Sequence, residues 1–132
     1  MKVFISGNRA IKSLTHKIME ELTDELEKLG ATEIIVGDAD GVDTLIQMIM
    51  NPNATTVYHS QYGPRNHVNN SKTRLVQSHG SGRAFHTCKD LLMAAHCDAH
   101  IGIVNSTLPS GTVNNHKTVL AQGKPSTLLY ME

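Results

Sequence analysis

The sequence contains no tryptophan, aromatic residues make up 4% of it, and twelve basic and twelve acidic residues cancel to a formal net charge of zero. The scarcity of aromatics argues against a base-stacking platform for single-stranded nucleic acid. Neutrality removes any global field that would hold nucleic acid or an anionic membrane, so nucleic acid is not the expected partner. No apolar run approaches the length of a membrane span, and no charged-then-apolar segment opens the sequence. A cytoplasmic protein with no membrane partner is expected. The only cysteines are Cys88 and Cys97. On a helix their separation is about two and a half turns, which puts them on different sides. Two buried reduced thiols are expected rather than a disulfide. Neither a Cys-x-x-Cys pair nor a His-Glu-x-x-His spacing occurs. His96 and His100 stand four apart, but Asp98-Ala99 between them reads as a helix-to-strand junction. No metal and no cofactor is expected.

What is present is a set of strand-to-turn junctions. Val3-Phe4-Ile5 runs into Ser6-Gly7-Asn8-Arg9, and Ile34-Ile35-Val36 runs into Gly37-Asp38-Ala39-Asp40-Gly41-Val42-Asp43. A third junction, Pro109-Ser110-Gly111-Thr112, comes late in the chain. Small residues at the carboxyl ends of strands are how an open α/β sheet lets a phosphate or sugar approach its backbone. A length of 132 residues suits one domain with a real core.

The coarse pattern predicts strands at 2–6, 32–36, 55–59, 99–104 and 126–130. Helices are predicted at about 14–29, 43–50, 87–96 and 112–122. Ser13 or Thr15 suits the cap of the first helix and Gly30 its stop. Leu14, Ile18, Met19, Leu22, Leu26 and Leu29 fall near helical spacing, as do Leu45, Ile46, Ile49 and Met50. In the third helix Leu91, Leu92, Met93 and Ala95 are the expected buried face. Residues 60–82 read as a polar, glycine-rich loop excursion, either functional or mobile. The order βαβαβ-loop-αβαβ implies a Rossmann-like doubly wound parallel sheet of about five strands with helices on both faces.

Each junction has a chemical and a plain reading. Gly7 suits close approach of a ligand and Arg9 a fork for phosphate; a solvated arginine on an ordinary turn is the plain alternative. The Gly37–Asp43 turn offers free N–H groups at a helix start, through Ala39 and Gly41 among others. Asp38 and Asp40 would repel phosphate and suit ribose hydroxyls, or solvent. Asp43 fits a helix cap and a ligand contact equally. Ser110, Gly111 and Thr112 fit phosphate at a helix N-terminus, or plain capping by Ser110. Asn114 and Asn115 lie in the first turn, where an amide reads a sugar or base, or faces solvent. Arg83 and Lys89 are placed to close over an anionic ligand, or are solvated charges.

The pairing of Ser-Gly-x-Arg with Gly-x-Ala-x-Gly-Val-Asp resembles the SLOG superfamily. Its members include the DNA-processing protein DprA, the YpsA and YspA-like proteins and the Lonely Guy cytokinin-activating enzymes. The resemblance spans the chain and rests on Gly7, Arg9, Gly37, Ala39, Gly41 and Asp43. It rests also on Arg83 and Lys89, and on Gly111-Thr112 followed by Ala121-x-Gly123-Lys124-Pro125. It implies a Rossmann-like fold that binds a nucleotide or nucleotide-derived ligand, of cyclic or ADP-ribose type among others, as a sensor or sequestering protein. It also implies a homo-oligomer. The alternative it implies is a nucleoside monophosphate N-glycosidase, and the second alternative is a DprA-like nucleic-acid-binding module. The Lonely Guy motif Pro-Gly-Gly-x-Gly-Thr-x-x-Glu, aligned on Gly111-Thr112, places Asn115 where the catalytic glutamate belongs. A glycosidase needs a carboxylate there, so hydrolysis would fall to Asp43 or Asp40.

Overall fold

The computed structural model describes residues 1–60, 63–77, 83–106 and 109–131, without the side chains of 83–86. The elements are β1 (Lys2–Gly7), α1 (His16–Leu29), β2 (Glu33–Val36), α2 (Val42–Ile49), β3 (Thr55–His59), β4 (Lys72–Leu75), α3 (Arg83–His96), β5 (Ala99–Val104), α4 (Gly111–Ala121) and β6 (Ser126–Tyr130). A 3-10 turn, Pro52–Ala54, precedes β3. The six strands form one parallel sheet in the order β4-β3-β2-β1-β5-β6. This is a Rossmann-like α/β architecture with one strand more than expected.

Alternation along the strands divides the core. Val3 and Ile5 of β1, Ile34 and Val36 of β2, and Ile101 and Ile103 of β5 pack with Ile18 and Leu22 of α1 and with Val42 and Ile46 of α2. Phe4, Ile35 and Tyr58 face the other way, against Met93 and Ala94 of α3 and Val119 of α4. Strands buried on both faces read as continuous apolar runs, which is why Val3-Phe4-Ile5 carries no alternation. Thr15 caps α1 by accepting the Ile18 N–H at 3.2 Å, and Gly30 ends it at φ 65°.

The expected loop near 60–82 contains β4, which pairs with β3 from Thr56↔Lys72 to His59↔Leu75. Its residues Lys72-Thr73-Arg74-Leu75 are exposed throughout, so no buried face announces the strand. Charged residues suit a sheet edge because they discourage further pairing. Residues 63–71 are stitched to α2: Gln47 Nε2 donates to the Gly37 and Asn66 carbonyls, and Gln47 Oε1 accepts the Val68 N–H at 3.0 Å. Gln61, Tyr62 and Ser78–Gly82 lie outside the described residues.

Helix faces also differ from expectation. Met19, Ile49, Leu91 and Ala95 are exposed, while Gln47 and Lys89 are buried. The α3 helix begins at Arg83 rather than Thr87. Cys97 is buried, whereas Cys88 is only half-buried, and both are free thiols. Among the described residues, no helix is long and apolar enough to cross a membrane.

Gly7 has a packing role distinct from the ligand approach expected of it. A Cβ there would sit 2.4 Å from Val42 Cβ, so the hydrogen lets the start of α2 close on β1. At Gly111 an added Cβ would meet nothing within 4 Å. Gly7→Ala is therefore expected to destabilise the fold by roughly 1–3 kcal/mol in urea unfolding. Gly111→Ala, inside a helix, should stay within about 1 kcal/mol of wild type. Equal stabilities for the two variants would refute the packing argument.

Candidate functional site

The sheet's strand order turns at β1, which has β2 on one side and β5 on the other. At such a switch point the chain leaves the carboxyl ends in opposite directions and opens a crevice. Asn8 holds this crevice in shape. Its N–H donates to the Ile103 carbonyl at 3.1 Å, and its Oδ1 accepts the Asn105 N–H at 2.9 Å. Its carbonyl accepts from Ile11 and from Val42 at the start of α2. Gly41, at φ 79°, lets the β2–α2 loop press on the Arg9 backbone, where a Cβ would lie 2.5 Å from the Arg9 carbonyl oxygen.

A cavity of about 270 Å³ occupies the crevice. From the end of β1 come Ser6, Gly7, Asn8 and Arg9; from the β2–α2 region come Ala39 and Asp43; from α3 come Lys89, Asp90 and Met93. The α4 start supplies Ser110, Gly111, Thr112 and Asn115, while Phe4 and Arg65 complete the wall. An adjoining hollow of about 520 Å³ shares Arg9, Asp90, Ser110, Gly111 and Asn115 and extends between α3 and α4 along Thr87, Leu91 and Thr118.

The three expected junctions thus meet at one cavity, with roles that differ in detail. Asp38 does not line it. Its carboxylate is buried and accepts four hydrogen bonds: from the Arg65 N–H, Nε and Nη2 at 2.8, 3.2 and 2.9 Å, and from Lys89 Nζ at 2.7 Å. It serves neither ribose hydroxyls nor solvent. Burial by itself would raise its pKa, but the Arg65 hydrogen bonds and the Lys89 ammonium hold it well below the usual carboxylate range. Lys89, read from sequence as open to solvation, is 4% exposed. Gly37 also lies behind the cavity wall, and a Cβ there would sit 2.6 Å from Asp43 Oδ2.

Asp43 is not the cap of α2; that position is Gly41. Its Oδ2 instead accepts the Ala39 N–H at 3.2 Å, bracing the preceding loop. Burial pushes its pKa up to about 7, against the opposing pull of Lys89 and the Ala39 N–H. Asp90 is likewise pushed up to about 6 by burial, against Lys89 and Arg65. Two cavity-wall carboxylates thus titrate near neutral pH, the range in which a carboxyl group can give or take a proton.

Ser110 caps α4, its Oγ accepting the Val113 N–H at 3.3 Å. Thr112 and Asn115 are buried against the sheet, and Asn115 Nδ2 donates to Ser6 Oγ at 3.5 Å. Arg9 is exposed, and its guanidinium makes no hydrogen bond or ion pair among the described residues. The Arg83 side chain lies outside the described residues. Asp40 accepts from Asn66 Nδ2 at 3.0 Å and stands apart from the cavity. Sequence reasoning missed Asp90, Arg65, Phe4 and Met93. Nothing in the sequence around them marks a site, because α3 and the 63–66 segment reach the cavity only through the sheet crossover.

Comparison with known proteins found no matching family model, no matching curated protein and no matching solved structure.

Two predictions follow from the charges. Asp38→Asn removes the counter-charge of a buried ammonium and should cost roughly 3–5 kcal/mol of stability. An unchanged urea midpoint would show that Lys89 is solvated in solution. Asp43 and Asp90 have folded-state pKa values above their unfolded one. Their contribution to stability is therefore complete below the ordinary carboxylate pKa and is lost as pH rises to about 7 and about 6. Asp43→Asn should accordingly gain on wild type between about pH 4 and about pH 8, by up to about 4 kcal/mol. Parallel stability curves for the two proteins would contradict a raised Asp43 pKa.

Proposed function

We propose that the cavity binds a nucleotide or nucleotide-derived ligand, as a sensor or sequestering protein of SLOG type. The observation that carries this reading is the convergence of the exposed Arg9 guanidinium and the capped N-terminus of α4 on one cavity at the sheet's switch point. The helix start favours negative charge, and an arginine fork matches phosphate oxygens. Phe4 and Met93 give the same cavity an apolar wall, and Ser6 and Asn115 give it neutral hydrogen-bonding groups suited to a sugar. The hollow continuing between α3 and α4 supports a ligand larger than the first cavity alone would hold.

The pair of near-neutral carboxylates favours a second reading, hydrolysis of an N-glycosidic bond. Asp43 is its acid–base group, standing in for the glutamate that Asn115 replaces. Binding and turnover separate cleanly. A thermal-shift screen against nucleoside mono-, di- and triphosphates, NAD, ADP-ribose and cyclic nucleotides should yield a stabilising compound. Arg9→Ala should weaken that compound's binding about tenfold or more while leaving the unliganded melting temperature unchanged. Recovery of the compound intact supports the sensor. Release of free base, lost in Asp43→Asn with binding kept, supports the enzyme. No shift with any compound would count against both and turn attention to nucleic acid.

A further inference from the structure

A chain of four side chains leads from the cavity to His116 on α4. Ser6 Oγ lies 2.7 Å from His100 Nε2, His100 Nδ1 lies 2.7 Å from Ser126 Oγ, and Ser126 Oγ lies 2.7 Å from His116 Nδ1. Ser6 lines the cavity, His100 is buried within the sheet, and His116 is half-buried on α4. The fold sets this up directly. His100 and Ser126 are register partners in the β5–β6 pair. Gly102 lets α4 settle on β5, since a Cβ there would lie 2.8 Å from Thr112 Cγ2.

Donor counting gives the chain a direction. A hydroxyl has one proton and a neutral imidazole one N–H. Ser126 stands between two Nδ1 atoms and donates to only one of them, so the other Nδ1 must carry a hydrogen and donate back. If His116 Nδ1 donates, Ser126 donates to His100 Nδ1, and His100 Nε2–H donates to Ser6. The Ser6 proton is then free to point into the cavity. If His116 Nδ1 accepts, every bond reverses, and Ser6 spends its proton on His100 and offers the cavity the lone pair that Asn115 Nδ2 leaves unused. Protonated His116 has a hydrogen on Nδ1 and selects the first arrangement. The alternative, with both imidazoles donating to Ser126, leaves the Ser126 proton without a partner in the chain.

We propose that Ser126 and His116 are positioning residues of the cavity, setting whether Ser6 presents its hydroxyl hydrogen or a lone pair to a ligand. Protonated His116 favours a ligand with an acceptor at Ser6, such as a phosphate or carboxylate oxygen. Burial keeps His100 neutral, its pKa pushed down to about 3, so it passes on direction by its tautomer and not by charge. His116 faces His100 from β5 and the uncharged Ser126 from β6, and burial alone lowers its pKa. Asp43 and Asp90 also titrate within the cavity, at about 7 and about 6, so pH dependence of binding alone does not isolate the relay.

The ligand named here rests on the nucleotide-site reading, but the relay is testable without a ligand. Long-range imidazole 1H–15N spectra of the unliganded, 15N-labelled full chain should show His100 passing to its Nε2–H tautomer as His116 protonates on lowering the pH. Ser126→Ala should abolish that change, and Ser126→Thr, which keeps the hydroxyl, should restore it. A single His100 tautomer across the titration in wild type, or the same change in Ser126→Ala, would overturn the proposal. Inorganic phosphate then serves as the probe for the cavity. The ratio of wild-type to Ser126→Ala affinity should rise several-fold, up to about tenfold, on lowering the pH. A constant ratio would overturn the link to the cavity. A His100 tautomer change without phosphate binding at any pH would support the relay and count against the anion site.

Discussion

Four N–H donors from Arg65 and Lys89 converge on the Asp38 carboxylate, and this buried knot joins parts of the chain that share no strand pairing. It ties the loop after β2 to α3, on one face of the sheet, and to the segment entering β4 at the sheet edge. Buried ion pairs gain little net stability over an apolar cluster, because desolvation opposes the attraction. Their directional bonds nonetheless fix geometry, and here they fix α3 relative to the turn that forms one side of the cavity. Asn66 reinforces the same loop by donating to the Asp38 carbonyl at 2.9 Å.

The knot also sets the electrostatics of the cavity. Among the described residues, Lys89 and Arg65 are the cations that pull on the carboxylates of Asp38, Asp43 and Asp90. Asp38 holds both cations in direct contact and stays ionised. Asp43 feels Lys89, and Asp90 feels Lys89 and Arg65, without a hydrogen bond to either, so burial prevails and their pKa values rise. One carboxylate is thus a structural anion, and its neighbours become titratable wall groups. The same cavity also carries the start of α4 and the exposed charge of Arg9.

Much of this was legible in the chain. The strands at β1, β3, β5 and β6 announce themselves because apolar, β-branched runs end at turn residues. Thr15 and Gly30 mark the bounds of α1 through local chemistry alone. The β4 strand was not legible, since Lys72-Thr73-Arg74-Leu75 has no buried face and its strand character comes from β3 beside it. Periodicity also misled at Leu91 and Lys89. The apolar residue faces outward and the ammonium inward, because Asp38 waits behind the cavity wall.

The sequence by itself determined the alternation of strands and helices, and the three small-residue turns that fall at strand ends, because those depend on local sterics and side-chain periodicity. Tertiary structure decided what each turn residue does. Gly7 makes room for Val42 and Asp38 becomes an internal anchor, each because of a partner distant in sequence, and burial under the assembled fold makes Asp43 a near-neutral acid. His100 and Ser126 meet only through strand register, and His116 joins them only because Gly102 lets α4 sit low on the sheet. Such contacts depend on long-range geometry, which no local pattern encodes.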